Sequence, residues 1–177
     1  MRVLGPEDDE AVWGLRGRAL IESPDAFTTH PDEHPSLPEF RQRQADRRTN
    51  PDQRALGAYL NGALVGMAVV VREDRIKTRH RANLYSLYVA PEARREGVGR
   101  ALVDAAVAAA RELGAEQLEL AVTANNTAAI VLYEGAGFRP WGVQPRAFRL
   151  DDHDFDELWM TLALDGADDP PPDGRPG

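Results

Sequence analysis

The chain has 177 residues, no cysteine, 42% hydrophobic residues and a formal net charge of −8. That length suits one domain able to fold without a metal or disulfide staple, and the absent thiols exclude cysteine nucleophiles, Cys-ligated zinc and iron–sulfur clusters. The acidity is local, because residues 151–177 hold nine acids against the single base Arg175 while residues 1–150 carry 20 of each sign; a neutral body without a long basic stripe is a poor match to nucleic acid.

The opening MRVLGPEDDE lacks the apolar run of a secretion signal, and no later stretch is long and apolar enough for a membrane span. A cytoplasmic protein without membrane attachment is therefore expected. Ala11–Glu22 repeats Val12, Leu15, Ala19 and Leu20 at helical spacing. Prolines at 24, 31, 35 and 38 make Ser23–Pro38 an irregular loop. Glu39–Arg48 reads as a second, strongly charged helix. Ala55–Leu60 and Ala63–Arg72 are apolar and joined by Asn61-Gly62, a strong hairpin signal because both residues tolerate positive φ. The bases Arg72, Arg75, Lys77, Arg79 and Arg81 form a cluster expected to be a solvated loop, or alternatively to meet a ligand phosphate.

Leu84–Ala90 follows as a strand closed by Pro91. Arg94–Leu113 reads as a helix with a small, alanine-rich face, and Gly114 stands where a left-handed C-cap belongs. Glu116–Val122 alternates as a strand, and Asn126–Ala136 is a further helix ended by Gly137. Phe148–Leu150 and Glu157–Leu164 close the fold as an antiparallel pair. Residues 165–177 lack apolar anchors and are expected to be a disordered acidic, proline-rich tail. The order predicts one α/β (α+β) domain over residues 1–164, with a mixed twisted sheet flanked by helices and a central βαβ unit.

The chemistry concentrates in Leu84–Arg100, a strand and turn opening a helix. A helix start leaves backbone N–H groups unpaired and carries partial positive charge. Gly97 and Gly99 keep that turn open, and Arg94, Arg95 and Arg100 add cations, which together describe a phosphate or pyrophosphate cradle. Close packing of the glycines and solvated arginines would explain the same residues. Position 102 is leucine, so the dinucleotide fingerprint is absent, and no Gly-Lys-Ser/Thr follows to hold a nucleoside triphosphate.

Arg94-Arg95-Glu96-Gly97-Val98-Gly99, preceded by Leu87-Tyr88-Val89-Ala90-Pro91, resembles the acyl-coenzyme A turn (Arg/Gln-x-x-Gly-x-Gly/Ala) of the GCN5-related N-acetyltransferase (GNAT) superfamily. Asn126, Ala129, Leu132, Tyr133, Gly137 and Phe138 match a second segment of that family in the expected order. The resemblance implies a pyrophosphate held by the backbone of Arg95, Glu96, Gly97, Val98, Gly99 and Arg100. It further implies a pantetheine arm paired with Leu87, Tyr88 and Val89, an oxyanion donor near Leu87, and Asn126 near the thiol end. Tyr133 would be the general acid beside the sulfur, a role that suits a phenol of pKa ~10 facing a thiolate whose conjugate acid has pKa ~8.5.

The base is open. Some relatives place a glutamate where this chain has Asn83, so that role does not carry over. Glu119 is a candidate, with Glu33, Asp25 and a water chain as alternatives. His30, His34, His80 and His153 lack metal-ligand spacing and read as exposed loop residues, so no metal is expected. Tyr85 alternates onto a face that could line an acceptor pocket. The resemblance implies transfer of acetyl from acetyl-CoA to a primary amine by direct attack. Transfer of a longer acyl group, or a non-catalytic acyl-CoA sensor, are the alternatives. An edge strand near the C-terminus could pair in a homodimer.

Overall fold

The computed structural model describes residues 1–166. Its elements are β1 (Arg2–Val3), α1 (Asp9–Glu22), α2 (Leu37–Arg48), β2 (Gln53–Leu60), β3 (Ala63–Arg72), β4 (Arg81–Val89), α3 (Val98–Glu112), β5 (Gln117–Thr123), α4 (Thr127–Gly135), β6 (Arg139–Leu150) and β7 (His153–Ala163). The strands form one mixed sheet in the order β1-β2-β3-β4-β5-β7-β6, antiparallel except where β4 meets β5. The expected βαβ unit is therefore β4–α3–β5. The tail assigned to 165–177 lies, from residue 167 on, outside the described residues.

Asn61 and Gly62 both turn at positive φ, +50° and +82°, so the β2–β3 hairpin forms as the dipeptide dictates. Neighbouring residues of β3 point to opposite faces, yet Val65, Met67, Ala68 and Val70 are all buried, so the central sheet is covered on both sides. The alanine-rich face of α3 lies across β2, β3 and β4, where Leu102, Val103, Ala106 and Ala110 are wholly buried. Helix α1 packs against β3 and α2, with Leu15, Ala19 and Leu20 buried.

Four expectations change. Helix α3 starts at Val98 rather than Arg94, because Pro91–Ala93 make a 3-10 turn and Arg95 and Gly97 take positive φ. Strands β6 and β7 span 12 and 11 residues, far longer than the closing pair expected, since bulges at Pro140/Gly142 and Gln144/Phe148 absorb the prolines and break the alternation. His34 is not an exposed loop residue: it stacks on Trp13 with ring centroids 5.4 Å apart and leans on Phe40, and burial lowers its pKa. Arg72 is not solvated either, for its guanidinium meets the buried carboxylate of Asp52 through Nε at 2.9 Å and through Nη2.

The N-terminus is anchored by one buried acid. Asp8 receives two hydrogen bonds from Arg2 (2.7 and 2.6 Å), one from the Tyr59 hydroxyl (2.5 Å) and one from the Gly5 amide (2.8 Å). Donation by Arg2 is the largest cause holding its pKa at about 2, below the ordinary 3.8. A depressed carboxylate stabilises the fold above its unfolded pKa, and that contribution disappears as pH falls through the folded value. Chemical denaturation should thus show stability falling between pH 4 and pH 2, and Asp8→Asn should lower stability at pH 7 while flattening that acid limb.

Candidate functional site

The site begins with a pairing that stops early. Strands β4 and β5 are matched only at Arg81, Ala82 and Asn83 against Gln117, Leu118 and Glu119. Beyond that point β4 stays on β3 while β5 follows β7 to Thr123. A wedge therefore opens between Leu84–Val89 and Leu120–Thr123. At its edge β4 bulges, with Ser86 and Leu87 both facing Ala68 between the Met67–Tyr88 and Val69–Tyr85 pairs. Ser86 takes φ +53°, a conformation costly for a side chain with Cβ and concentrated at functional sites. The wedge side of β4 has no strand partner past Asn83, so an extended chain carrying amide groups can add there as a further strand.

The wide end of the wedge is a groove of about 900 Å³ bordered by Leu87, Tyr88, Val89, Arg94, Arg95, Gly97, Gly99, Arg100 and Asn126. Its floor is the start of α3. The first intrahelical bond runs from Ala101 N–H to the Gly97 carbonyl (3.0 Å), and no side chain caps the turn. The N–H groups of the first turn lack intrahelical partners, and those of Gly99 and Arg100, which border the groove, are left for a ligand. Gly97 sits at φ +79°, and a Cβ there would meet nothing within 4 Å, so backbone conformation explains this glycine and the space above it is open. Gly99 has another reason: its Cβ would come within 3.3 Å of Leu132, so it lets α3 lie close to α4.

The arginines divide by what already holds them. Arg100 bonds Asp104 (2.8 Å) and the Gly135 carbonyl (2.7 Å), tying α3 to the end of α4. Arg94 donates to the Val89 carbonyl (3.0 Å). Arg95 is exposed and, among the described residues, meets no carboxylate, which makes it the free cation of the cradle. Tyr88 contributes backbone only, because its hydroxyl donates to Glu22 (2.6 Å), and Glu22 is in turn gripped by Arg18 (2.7 Å). Glu96 and Val98 border neither the groove nor the cavity behind it.

That inner cavity, about 320 Å³, is bordered by Arg16, Thr29, Tyr85, Ser86, Tyr133, Glu157 and Trp159. It shares Ala26, Phe27, Leu87, Asn126 and Ala129 with the outer groove, so the two adjoin along the wedge and together are one passage in two parts. Asn126 caps α4 by accepting from Ala129 N–H (3.2 Å), which leaves its amide NH₂ to donate. Tyr133 is 7% exposed, packs on Phe138, and makes no hydrogen bond with any described residue. Burial alone pushes its phenol up to about 12. A phenol so placed is a proton-bearing donor at neutral pH and never a base. The proline-rich loop is pinned over the passage by Thr123, whose hydroxyl donates to the Asp25 carbonyl at 2.5 Å.

Glu119 does not join this set. It lies at the closed end of the wedge, where Gln117 donates to it (2.7 Å) and Arg81 stands 3.6 Å away, and it borders neither space. Glu33 caps a turn through the His30 amide (2.7 Å), outside both. The carboxylate that does border the inner cavity is Glu157 of β7, raised in pKa by burial. Its signal was the two-residue period that puts Glu157 and Trp159 on one face. The Arg72–Arg81 cluster lies at the other end of β4 from Gly97, roughly 25–30 Å away along nine extended residues, and borders neither space. Among the described residues no cluster of metal-ligating side chains occurs, and no helix is long and apolar enough to cross a membrane.

Residues 18–138 match the Acetyltransferase (GNAT) family. The chain is 34% identical to a mycothiol acetyltransferase of Thermobispora bispora over 81% of its own length and 47% of the relative's. It is 31% identical to the [ribosomal protein bS18]-alanine N-acetyltransferase of Escherichia coli over 66% of this chain and 76% of that one. It thus spans less than half the length of the mycothiol acetyltransferases it matches. Among solved structures, a ribosomal-protein-alanine N-acetyltransferase from Brucella melitensis superposes with TM-score 0.81 and 27% identity over 92% of this chain and 98% of that one. A putative acetyltransferase from Salmonella typhimurium, solved with acetyl-CoA, shares the fold at TM-score 0.83 and 21% identity over 96% of each chain.

The Thr123 clamp makes a direct prediction. Thr123→Val should speed amide exchange in residues 24–29 about fivefold, the ~1 kcal/mol of one hydrogen bond, while leaving the β2–β3 hairpin protected.

Proposed function

The chain belongs to the GNAT acetyltransferase family, and on that premise we propose that it transfers acetyl from acetyl-CoA to a primary amine by direct attack. The observation that carries this reading is the continuity of the wedge. An uncapped helix start with a free arginine stands at one end, an unbonded phenol borders the other, and Leu87 and Asn126 border both.

The residues fit the cosubstrate part by part. The amides opening α3 and the Arg95 guanidinium hold the pyrophosphate. The free edge of β4 at Leu87, Tyr88 and Val89 pairs with the amide units of the pantetheine arm. The bulge at Ser86 re-aims the next N–H, at Leu87, toward the thioester carbonyl, where it stabilises the oxyanion. An amine entering from the inner cavity attacks the carbonyl carbon, forming the C–N bond, and collapse then breaks the C–S bond. Asn126 steadies the sulfur, and Tyr133 donates its hydroxyl proton in a hydrogen bond as charge builds there. A phenol at about 12 is a weaker acid than a thiol near ~8.5, so complete transfer is uphill and Tyr133 acts mainly by donating to the developing thiolate. Glu157 receives, directly or through water, the proton that the ammonium group loses before attack, and the second proton shed by nitrogen as the amide forms goes to the departing thiolate, which leaves as free thiol.

No cysteine exists to form an acyl-enzyme. The proposal extends to a cytoplasmic protein, and the open edge strand β6, with Trp141 and Val143 exposed, supports a homodimer.

Tyr133→Phe should lower kcat about 100-fold with the KM for acetyl-CoA unchanged, read by thiol release during an amine screen. A protein whose coenzyme binding is intact but which acetylates no amine would be the acyl-CoA sensor instead, and succinyl- or propionyl-CoA in the same screen tests chain length. Arg95→Gln should weaken coenzyme A binding about fivefold by calorimetry, corresponding to ~1 kcal/mol for an exposed charge-assisted contact. Arg100→Gln should act mainly on the melting temperature, because that side chain is spent on Asp104 and Gly135.

A further inference from the structure

Arg16 has no place in the steps above, although it stands at the inner cavity. It projects from α1, is half-buried, and makes only two long hydrogen bonds, both to neutral hydroxyls: Ser86 Oγ at 3.3 Å and Thr29 Oγ1 at 3.2 Å. Other arginines that meet buried ground are compensated. Arg2 forks onto Asp8, Arg48 onto Asp9 at 2.7 Å, and Arg72 onto Asp52. Among the described residues Arg16 forms no ion pair, and the one charged group that perturbs it is Arg47, another cation. A guanidinium held away from water without an anion is unfavourable unless something else supplies the charge.

Resting on the acetyltransfer reading, we propose that Arg16 is the specificity residue for the acceptor, and that the acceptor is a small amino acid whose free carboxylate pairs with it. Three features favour this class. The Ser86 and Thr29 hydroxyls hold the fork in place while leaving most of its five N–H donors unused, which suits a planar carboxylate. One uncompensated cation matches the single negative charge of a carboxylate better than the larger charge of a phosphate monoester. The cavity, about 320 Å³, is sized for a small molecule, and Glu157 borders it as a receptor for the amino group. Arg16 and Glu157 then make the pocket complementary to a zwitterion.

The test separates this proposal from the reaction itself. Binding of individual L-amino acids and of their matching α-amides is measured by calorimetry on protein saturated with coenzyme A, so no turnover is required. At least one amino acid should bind tenfold or more tightly than its amide. Arg16→Gln should bring that ratio to about one, and Arg16→Lys should retain part of it; coenzyme A affinity monitors folding of both variants. Equal affinity for acid and amide, a preference that survives Arg16→Gln, or no amino acid binding at millimolar concentration would each overturn the assignment. Failure to acetylate any bound amine would overturn the proposed reaction and leave the carboxylate contact standing.

Discussion

Three residue pairs between β4 and β5 decide the character of this molecule. Parallel strands normally stay in register for their length, since each unpaired N–H or carbonyl inside a sheet is costly. Here the pairing is abandoned after Asn83 and Glu119, and the sheet keeps an internal edge where a closed one would have been more stable. That edge is held open from both sides. Strand β5 is kept on β7 through seven matched pairs, and β4 is kept on β3 on either side of its bulge. The unmet hydrogen-bonding capacity is what an extended, amide-bearing ligand can satisfy.

The two halves of the passage are built by different means. The outer groove is made of backbone: strand edge, glycine turn and helix start. Its ligand preference follows from peptide geometry, to which Arg95 adds an exposed cation and Asp25 a carboxylate at the rim. The inner cavity is made of side chains drawn from α1, the proline-rich loop, β4, β5, α4 and β7. Few of these are neighbours in sequence. Their positions depend on ties such as Tyr88–Glu22–Arg18, with Arg18 continuing to Glu92 at 2.6 Å, and Thr123 to the Asp25 carbonyl. The outer end thus rests on generic peptide geometry, and the inner end on side chains gathered from distant segments.

Legibility in the sequence follows the same division. The Asn61-Gly62 hairpin, the small face of α3, the Gly114 stop and the Gly137 stop were readable because each is a local event in which neighbouring residues set their own backbone. Tyr133 stands out in the sequence through its motif, and in the structure it borders the same cavity as Asn126 and Leu87. Glu119 misled because alternation along β5 says which face a residue takes, but not where the neighbouring strand departs. The basic run at Arg72–Arg81 misled for a related reason: charge density along the chain carries no information about which end of β4 faces the ligand, or that Asp52 already holds Arg72. Glu157 and Arg16 are each ordinary in their own segments: alternation along β7 gives the face of Glu157, but only the fold brings it to one cavity with Arg16.

The amino-acid order alone therefore determined most of the elements, the central βαβ unit and the glycine turn that opens α3, all of which rest on interactions spanning a few residues. Only the tertiary structure decided where β4 and β5 part, which arginines are free and which acid borders the cavity. Those outcomes depend on pairings between distant segments, such as Arg16 with Ser86 and β5 with β7, whose partners no local pattern names.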